Sequence, residues 1–82
     1  MSLETDFADA QARVKKLTRT PSNEELLELY ALYKQASVGD VQGSRPGMLD
    51  FKGRAKYDAW ASVRGTSAAD AKRRYVDEVS AL

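Results

Sequence analysis

Two tyrosines and a lysine lie at helical spacing in the stretch YALYKQASVGD, which covers residues 30–40. Tyr30, Tyr33 and Lys34 are three and four positions apart, the separations at which side chains of one helix become neighbours. Two rings with polar edges beside an ammonium group could stack on a flat base and bind a phosphate. The same side chains could instead form the amphipathic edge of a hydrophobic core, with the lysine stem covering apolar surface.

Further basic side chains are distributed over other segments. Lys52 and Lys56 are four residues apart and would share a helical face, where an anion between them would relieve their repulsion. The run KRRY at residues 72–75 ends in Tyr75, which also fits an apolar stripe. Lys15 would suit the negative end of a first helix without any ligand. Each of these groups therefore allows a binding interpretation and a purely structural one.

The sequence contains neither histidine nor cysteine. This absence removes the commonest general base, the commonest metal ligand and the best nucleophile, and it rules out disulfides. Asp, Glu, Lys, Tyr and Ser remain, so the composition disfavours an enzyme without excluding one. We expect a protein that is not an enzyme and that uses no cofactor and no metal.

Length and composition predict one soluble domain over residues 1–82. The apolar fraction of 43% and the charged fraction of 30% are typical of a folded globular chain. No apolar run is long enough to span a membrane, and the acidic N-terminus does not resemble a secretory signal, so we expect a cytoplasmic protein without stable membrane insertion. From Phe51 onward there are seven basic and four acidic residues, a weaker excess than nucleic-acid-binding modules usually carry.

Four amphipathic segments predict an all-α fold, because no useful stretch shows the alternation of a β-strand. The expected helices run from about Leu3 to Leu17, from the cap Ser22 to about Ser37, from about Phe51 to Val63, and from the cap Ser67 onward. Their stripes predict core positions that include Phe51, Trp60, Ala68 and Tyr75. Residues 38–50 form the only long connection; its length permits a crossover, and such loops are often functional.

The stretch YKQASVGDVQGSRPGMLDFKGRAKYDAW, residues 33–60, resembles the signature of the acyl-CoA-binding protein family, also called the diazepam-binding-inhibitor family. The resemblance extends to Phe7, Val14 and Lys15 and to GTSAADAKRRYVDEV at residues 65–79, so it covers nearly the whole chain. It implies a four-helix, up-down-down-up bundle. It also implies a monomeric intracellular carrier that binds long-chain acyl-CoA without catalysis and delivers this cargo to enzymes through transient contacts.

The resemblance implies that aromatic and basic side chains bind the CoA head group: Lys15, Tyr30, Tyr33, Lys34, Lys52, Lys56 and Tyr75. Tyr33 would stack on the adenine. Tyr30, Lys34 and Lys56 would bind the 3′-phosphate of the ribose. Lys15 and Lys52 would line the head-group region, and Tyr75 would close around the nucleotide end.

The resemblance also implies an apolar groove for the acyl chain, with walls that include Leu26, Leu27, Met48 and Ala55. The family often has tryptophan where this chain has Tyr57. An alternative from another class is a small helical module that binds a protein or a nucleic acid, supported by the basic second part. Its basic residues are few and are interleaved with acidic ones, which favours the carrier.

Overall fold

The computed structural model describes residues 2–82, and this part of the chain forms four α-helices. They are α1 (Leu3–Val14), α2 (Asn23–Ser37), α3 (Phe51–Ser62) and α4 (Ala68–Ala81). No strand occurs among these residues, which confirms the predicted all-α fold. The largest difference between a predicted and an observed helix length is at α1, which ends at Val14 and not at the predicted Leu17. The amides of Lys16 and Leu17 donate to carbonyls only three residues back and thereby tighten the last turn.

Side-chain caps begin the helices where the sequence predicts them. The Ser22 hydroxyl accepts from the Glu25 amide at 3.1 Å, and the Glu25 carboxylate accepts from the Ser22 amide at 2.8 Å. This reciprocal capping box satisfies amides that the first turn leaves free, and the Ser22 amide lowers the pKa of Glu25. Asp50 and Ser67 cap α3 and α4 with the side chain alone, each accepting from the amide three residues on, without the reciprocal bond of a capping box.

Two polar contacts show that α1 and α4 run in the same direction. Lys72, early in α4, lies 3.3 Å from the carboxylate of Glu4, early in α1. Arg13, at the other end of α1, donates to the hydroxyl of Ser80 near the end of α4 at 3.1 Å. Both pairs keep the order of the chain, so the two helices are parallel.

The contacts between α2 and α4 have the opposite order. Gln35, near the end of α2, donates to the carbonyl of Thr66 just before α4 at 2.8 Å. Glu28, early in α2, faces Glu78 near the end of α4, and burial and this neighbouring carboxylate raise the pKa of Glu78. The two helices are therefore antiparallel.

The helices α2 and α3 are parallel. The ammonium of Lys56 lies over the ring of Tyr30, and one turn further along both helices Lys34 lies over Trp60. Together with the two preceding relationships, this order gives the up-down-down-up arrangement that the family resemblance implied. The parallel neighbours α2 and α3 require a connection that travels back along the bundle, which explains the long segment 38–50.

The core lies where α1, α2 and α4 meet and extends to the second half of α3. Its buried members are Phe7, Ala10, Leu29, Ala31, Leu32, Trp60, Val63, Tyr75 and Val79. The predicted core positions Phe51 and Ala68 are wrong, since both side chains are exposed. Each lies in the first turn of its helix. Within residues 2–82, α2 is the only helix whose backbone lies close to that of α3, so nothing covers Phe51.

Side chains of α3 fasten the long connection to the bundle. The indole N–H of Trp60 donates to the Gly39 carbonyl at 2.7 Å, and the Tyr57 hydroxyl donates to the Gly43 carbonyl at 3.1 Å. Between these two residues, Asp58 accepts two hydrogen bonds from Arg45. The stretch YDAW thus fixes the connection that leads into α3.

Candidate functional site

An open groove of about 480 Å³ lies between α2 and α3. The parallel arrangement places the first halves of the two helices side by side, and their facing side chains form its walls. The residues that line it are Asn23, Leu26, Leu27, Tyr30, Phe51, Lys52, Ala55 and Lys56. The structure therefore brings together six residues that the family resemblance assigned to a ligand site, three to its head-group part and three to its acyl-chain groove.

Three of the four residues predicted for an apolar groove line this one, namely Leu26, Leu27 and Ala55. Met48 does not line it; its side chain is 77% exposed in the connection just before α3. Phe51 was missed as a groove residue because its stripe was assigned to the core. Its spacing of four from Ala55 was the signal, since both side chains share the face of α3 that meets the groove.

Two lysines lie over aromatic rings where α2 and α3 meet. We call this region, formed by Tyr30, Lys34, Lys56 and Trp60, the seam. The Nζ atom of Lys56 lies 5.4 Å from the centre of the Tyr30 ring, and that of Lys34 lies 5.0 Å from the centre of Trp60. Helix α2 contributes Tyr30 and Lys34, and α3 contributes Lys56 and Trp60. In each pair a lysine of one helix therefore lies over a ring of the other. Such contacts stabilise a cation by about 0.5–1 kcal/mol where solvent is near. The seam therefore holds two positive charges at the end of an apolar groove.

Tyr33 lies on the other flank of α2, against α1. Its ring stacks on Phe7 with centres 6.2 Å apart and planes inclined by 29°. The side chain remains 40% exposed, so part of this ring is available to a flat ligand. Sequence reasoning selected Tyr33 but missed Phe7 as its support; the helical stripe of α1 marked Phe7 only as a core residue.

Tyr75 is a core residue that also touches this flank. Its ring meets the edge of Phe7 at 5.1 Å between centres and an angle of 82°. Burial raises the pKa of the Tyr75 hydroxyl, and nearby Tyr33 adds to this effect. The hydroxyl is therefore neutral at physiological pH and can serve as a donor. Its role at the nucleotide end of a ligand stays a prediction.

The remaining two lysines occupy different surroundings. Lys52 lies in the first turn of α3, is exposed, and lines the groove. Lys15 is exposed at the C-cap of α1, where its charge complements the helix dipole, and lies outside the groove. Thus Tyr30, Lys52 and Lys56 share one site, Lys34 adjoins it at the seam, and Lys15 lies apart.

Residues 2–82 contain no cluster of three or more acidic, histidine or cysteine side chains that could hold a metal ion. None of the four helices in this range has both the length and the apolar character of a membrane-spanning segment. The groove combines apolar side chains with the aromatic rings of Tyr30 and Phe51 and the ammonium groups of Lys52 and Lys56. This combination suits a ligand with an apolar and an anionic part.

Comparison with known proteins identifies the family. The sequence model described as "Acyl CoA binding protein" matches residues 4–79. The chain is 54% identical to an acyl-CoA-binding protein of Brassica napus and 49% identical to a homolog of Manduca sexta, in each case over its whole length and over 89% and 92% of the relative.

The solved structures agree with the sequence relatives. The crystal structure of Oryza sativa Acyl-CoA-Binding Protein 2 superposes with a TM-score of 0.93 at 43% identity, covering 99% of this chain and 90% of that one. The crystal structure of ACBP from Moniliophthora perniciosa gives a TM-score of 0.85 at 45% identity, covering 95% of this chain and 76% of that one. The match in sequence, fold and helix order extends over essentially all described residues, and this chain belongs to the acyl-CoA-binding protein family.

Proposed function

We propose that this protein binds long-chain acyl-CoA thioesters and carries them without altering them. The observation that supports this most is the groove between α2 and α3. Its apolar walls, Leu26, Leu27 and Ala55, lead to the seam where Tyr30 and Lys56 lie. An acyl-CoA has the same division into an apolar chain and an anionic head group.

The head group is held by charge and by stacking. Lys34 and Lys56 bind the 3′-phosphate from two helices, each with a charge-assisted hydrogen bond worth about 1.5–3 kcal/mol. This exceeds the roughly 0.5–1 kcal/mol of the contacts that the two lysines make with aromatic rings, so a phosphate can draw them toward itself. Tyr33 supplies an aromatic face for the adenine, with Phe7 behind it.

The acyl chain lies in the groove. Leu26 and Phe51 expose large apolar surfaces there, and covering them together with the chain removes both from water. Each methylene that enters contributes up to about 0.8 kcal/mol. The chain supplies a free-energy term that grows with length, whereas the head group supplies a fixed one.

The protein acts as a carrier and not as an enzyme, and the thioester is cargo and not a cofactor. The absence of histidine and cysteine leaves the site without the usual nucleophile or base. We assign the protein to the cytoplasm as a monomer that buffers free acyl-CoA and passes it on through transient contacts with acyl-CoA-using enzymes.

Dissociation constants for free CoA and for thioesters of about eight to twenty carbons test this proposal. Affinity should rise by as much as roughly tenfold for each two added carbons until the groove is filled, and free CoA should bind weakly. Higher ionic strength should weaken the head-group contribution far more than the increment per methylene. A flat series, with free CoA bound as tightly as the palmitoyl thioester, would exclude a lipid carrier. Absence of any binding would favour a module for protein or nucleic-acid partners.

A further inference from the structure

The ammonium of Lys34 lies over the ring of Trp60, and Trp60 is itself a residue at the edge of the core. The indole is only 8% exposed, and the Nζ atom of Lys34 lies 5.0 Å from its centre. Lys34 itself is half-buried in the second half of α2. Trp60 thus contributes to two places at once, since one part of its surface belongs to the core and another faces a charged side chain.

A second connection ties the same two residues together through the backbone. The Lys34 carbonyl accepts from the amides of Val38 at 2.7 Å and Gly39 at 3.2 Å. The Gly39 carbonyl in turn accepts from the Trp60 indole at 2.7 Å. Gly39 has a φ of 102°, a conformation that favours glycine. The ring is therefore fixed relative to the backbone of Lys34.

We infer that Trp60 is a positioning residue for Lys34. Its ring holds the ammonium at the seam before ligand arrives, so that less of the rotamer freedom of a long lysine side chain is lost on binding. An ammonium has three N–H donors, and those directed away from the ring remain for a phosphate. This inference rests on the proposed function, because it assigns Lys34 to the 3′-phosphate.

The alternative is that Trp60 only fills core volume. A core role would make every Trp60 variant weaken the protein and its affinity for all CoA ligands alike. A positioning role is specific to the one phosphate that Lys34 binds. A thioester of dephospho-CoA, which lacks the 3′-phosphate, separates these two possibilities.

The test compares Trp60→Phe and Trp60→Leu with the wild type. Phe keeps a ring but loses the N–H to Gly39, and Leu loses both. We expect affinity for the palmitoyl thioester of CoA to fall in the order Trp, Phe, Leu, by about two- to fivefold for the first step. Affinity for the dephospho-CoA thioester should change by less than about twofold. In a Lys34→Met background, the Trp60 variants should cause no further loss of this selectivity.

Tyr57→Phe is the matched control. It removes another hydrogen bond between α3 and the same connection, that to the Gly43 carbonyl, without touching Lys34. We expect it to leave the ratio of the two affinities unchanged. An equal loss for both thioesters in the Trp60 variants would overturn the positioning role. Failure of the wild type to bind either thioester would instead overturn the proposed function.

Fluorescence tests the contact without any substitution at Trp60, in case those variants do not fold. Trp60 is the only tryptophan of the chain, so its emission reports the charge above its ring. Lys34→Met should change the emission of the unliganded protein, whereas Lys52→Met should not. Identical spectra for the wild type and Lys34→Met would show that the ammonium does not rest on the indole in solution, and the inference would fail.

Discussion

Arg45 and Asp58 form a two-pronged ion pair that joins the long connection to α3. The Nε atom of Arg45 donates to one carboxylate oxygen at 2.9 Å, and Nη2 donates to the other at 2.7 Å. Arg45 precedes Phe51 and Lys52 in the chain, whereas Asp58 follows them within α3, so the pair anchors the segment that leads into the wall of the groove. The contact lowers the pKa of Asp58 and raises that of Arg45.

Acid should weaken this anchor. Because the folded pKa of Asp58 is depressed below its ordinary value of 3.8, its stabilising effect is present above that value and is lost as pH falls through the folded pKa. Asp58→Asn removes the titration, so the variant should lose less stability than the wild type between about pH 5 and pH 2. Urea midpoints across this range measure the difference.

Asp9→Asn provides the control for Asp58→Asn. Asp9 is exposed on α1 and lies outside the ion pairs of residues 2–82. Asp9→Asn changes the net charge of the protein by the same amount as Asp58→Asn. If Asp9→Asn reduces the loss of stability at acid pH as much as Asp58→Asn does, the effect is due to overall charge and not to the pair with Arg45.

Gln35 fixes the start of the connection from inside the bundle. Its amide nitrogen donates at 2.8 Å to both Asp40 and the Thr66 carbonyl, and the side chain is 1% exposed. Gln35→Ala leaves the Thr66 carbonyl without this donor, so we expect a loss of about 1–3 kcal/mol in the free energy of unfolding. Gln42→Ala, at an exposed amide in the same connection, should cost less than about 0.5 kcal/mol. Equal costs would contradict a structural role for Gln35.

The sequence predicted most of the fold because the helical periods, caps and glycines act locally. It could not show which apolar stripe would lie uncovered, because that depends on helix order. Phe51 fits a core stripe as well as it fits a groove. It lines a groove because, within residues 2–82, α3 packs against α2 and against no other helix. The family resemblance supplied the helix order, and with it the groove walls at Leu26 and Ala55.

Contacts across the helices were the part of the site that sequence reasoning missed. Tyr30 and Lys34 were identified as neighbours on one helix, but their rings and ammonium groups also contact α3, Tyr30 through Lys56 and Lys34 through Trp60. Gln35 likewise gave no signal, since a polar residue is rarely buried unless distant groups satisfy it. Such pairs follow from packing over long separations, which local spacing does not encode.

The two tyrosines of α2 should respond differently to loss of their hydroxyls. Tyr33→Phe keeps the stacking face and should bind the palmitoyl thioester almost like the wild type, whereas Tyr33→Ala should lose about 1–3 kcal/mol. Tyr30→Phe should already weaken binding, because the hydroxyl is the proposed contact with the 3′-phosphate. Calorimetric titration of the three variants measures this, and equal effects of phenylalanine at both positions would refute the division of roles.

Lys34 and Lys56 should contribute to the affinity for acyl-CoA only through their contacts with the 3′-phosphate. Replacing either by methionine keeps much of the stem and removes the charge, so affinity for acyl-CoA should fall by roughly ten- to a hundredfold. The dephospho-CoA thioester should bind both variants nearly as it binds the wild type. Lys16→Met, an exposed lysine beyond α1, controls for net charge. Wild-type affinity of both variants for the ordinary ligand would show that these lysines do not share a phosphate.

The groove should set how strongly affinity depends on chain length. Ala55 lies in its wall between Phe51 and Lys56, so Ala55→Leu should occupy part of the space that an acyl chain needs. Leu26→Ala should act in a different way, by removing apolar contact from the wall. Both variants should reduce the gain per two carbons from the wild-type value of up to about tenfold, while leaving the affinity for free CoA within about twofold.

Leu49→Ala is the control for these groove variants. Leu49 is 92% exposed in the connection before α3 and does not line the groove, so its loss should leave the increment per methylene unchanged. The measurement is the slope of the binding free energy against carbon number for each variant. Parallel slopes for Ala55→Leu and the wild type, with equal loss for free CoA and long-chain thioesters, would place the acyl chain outside the space between α2 and α3.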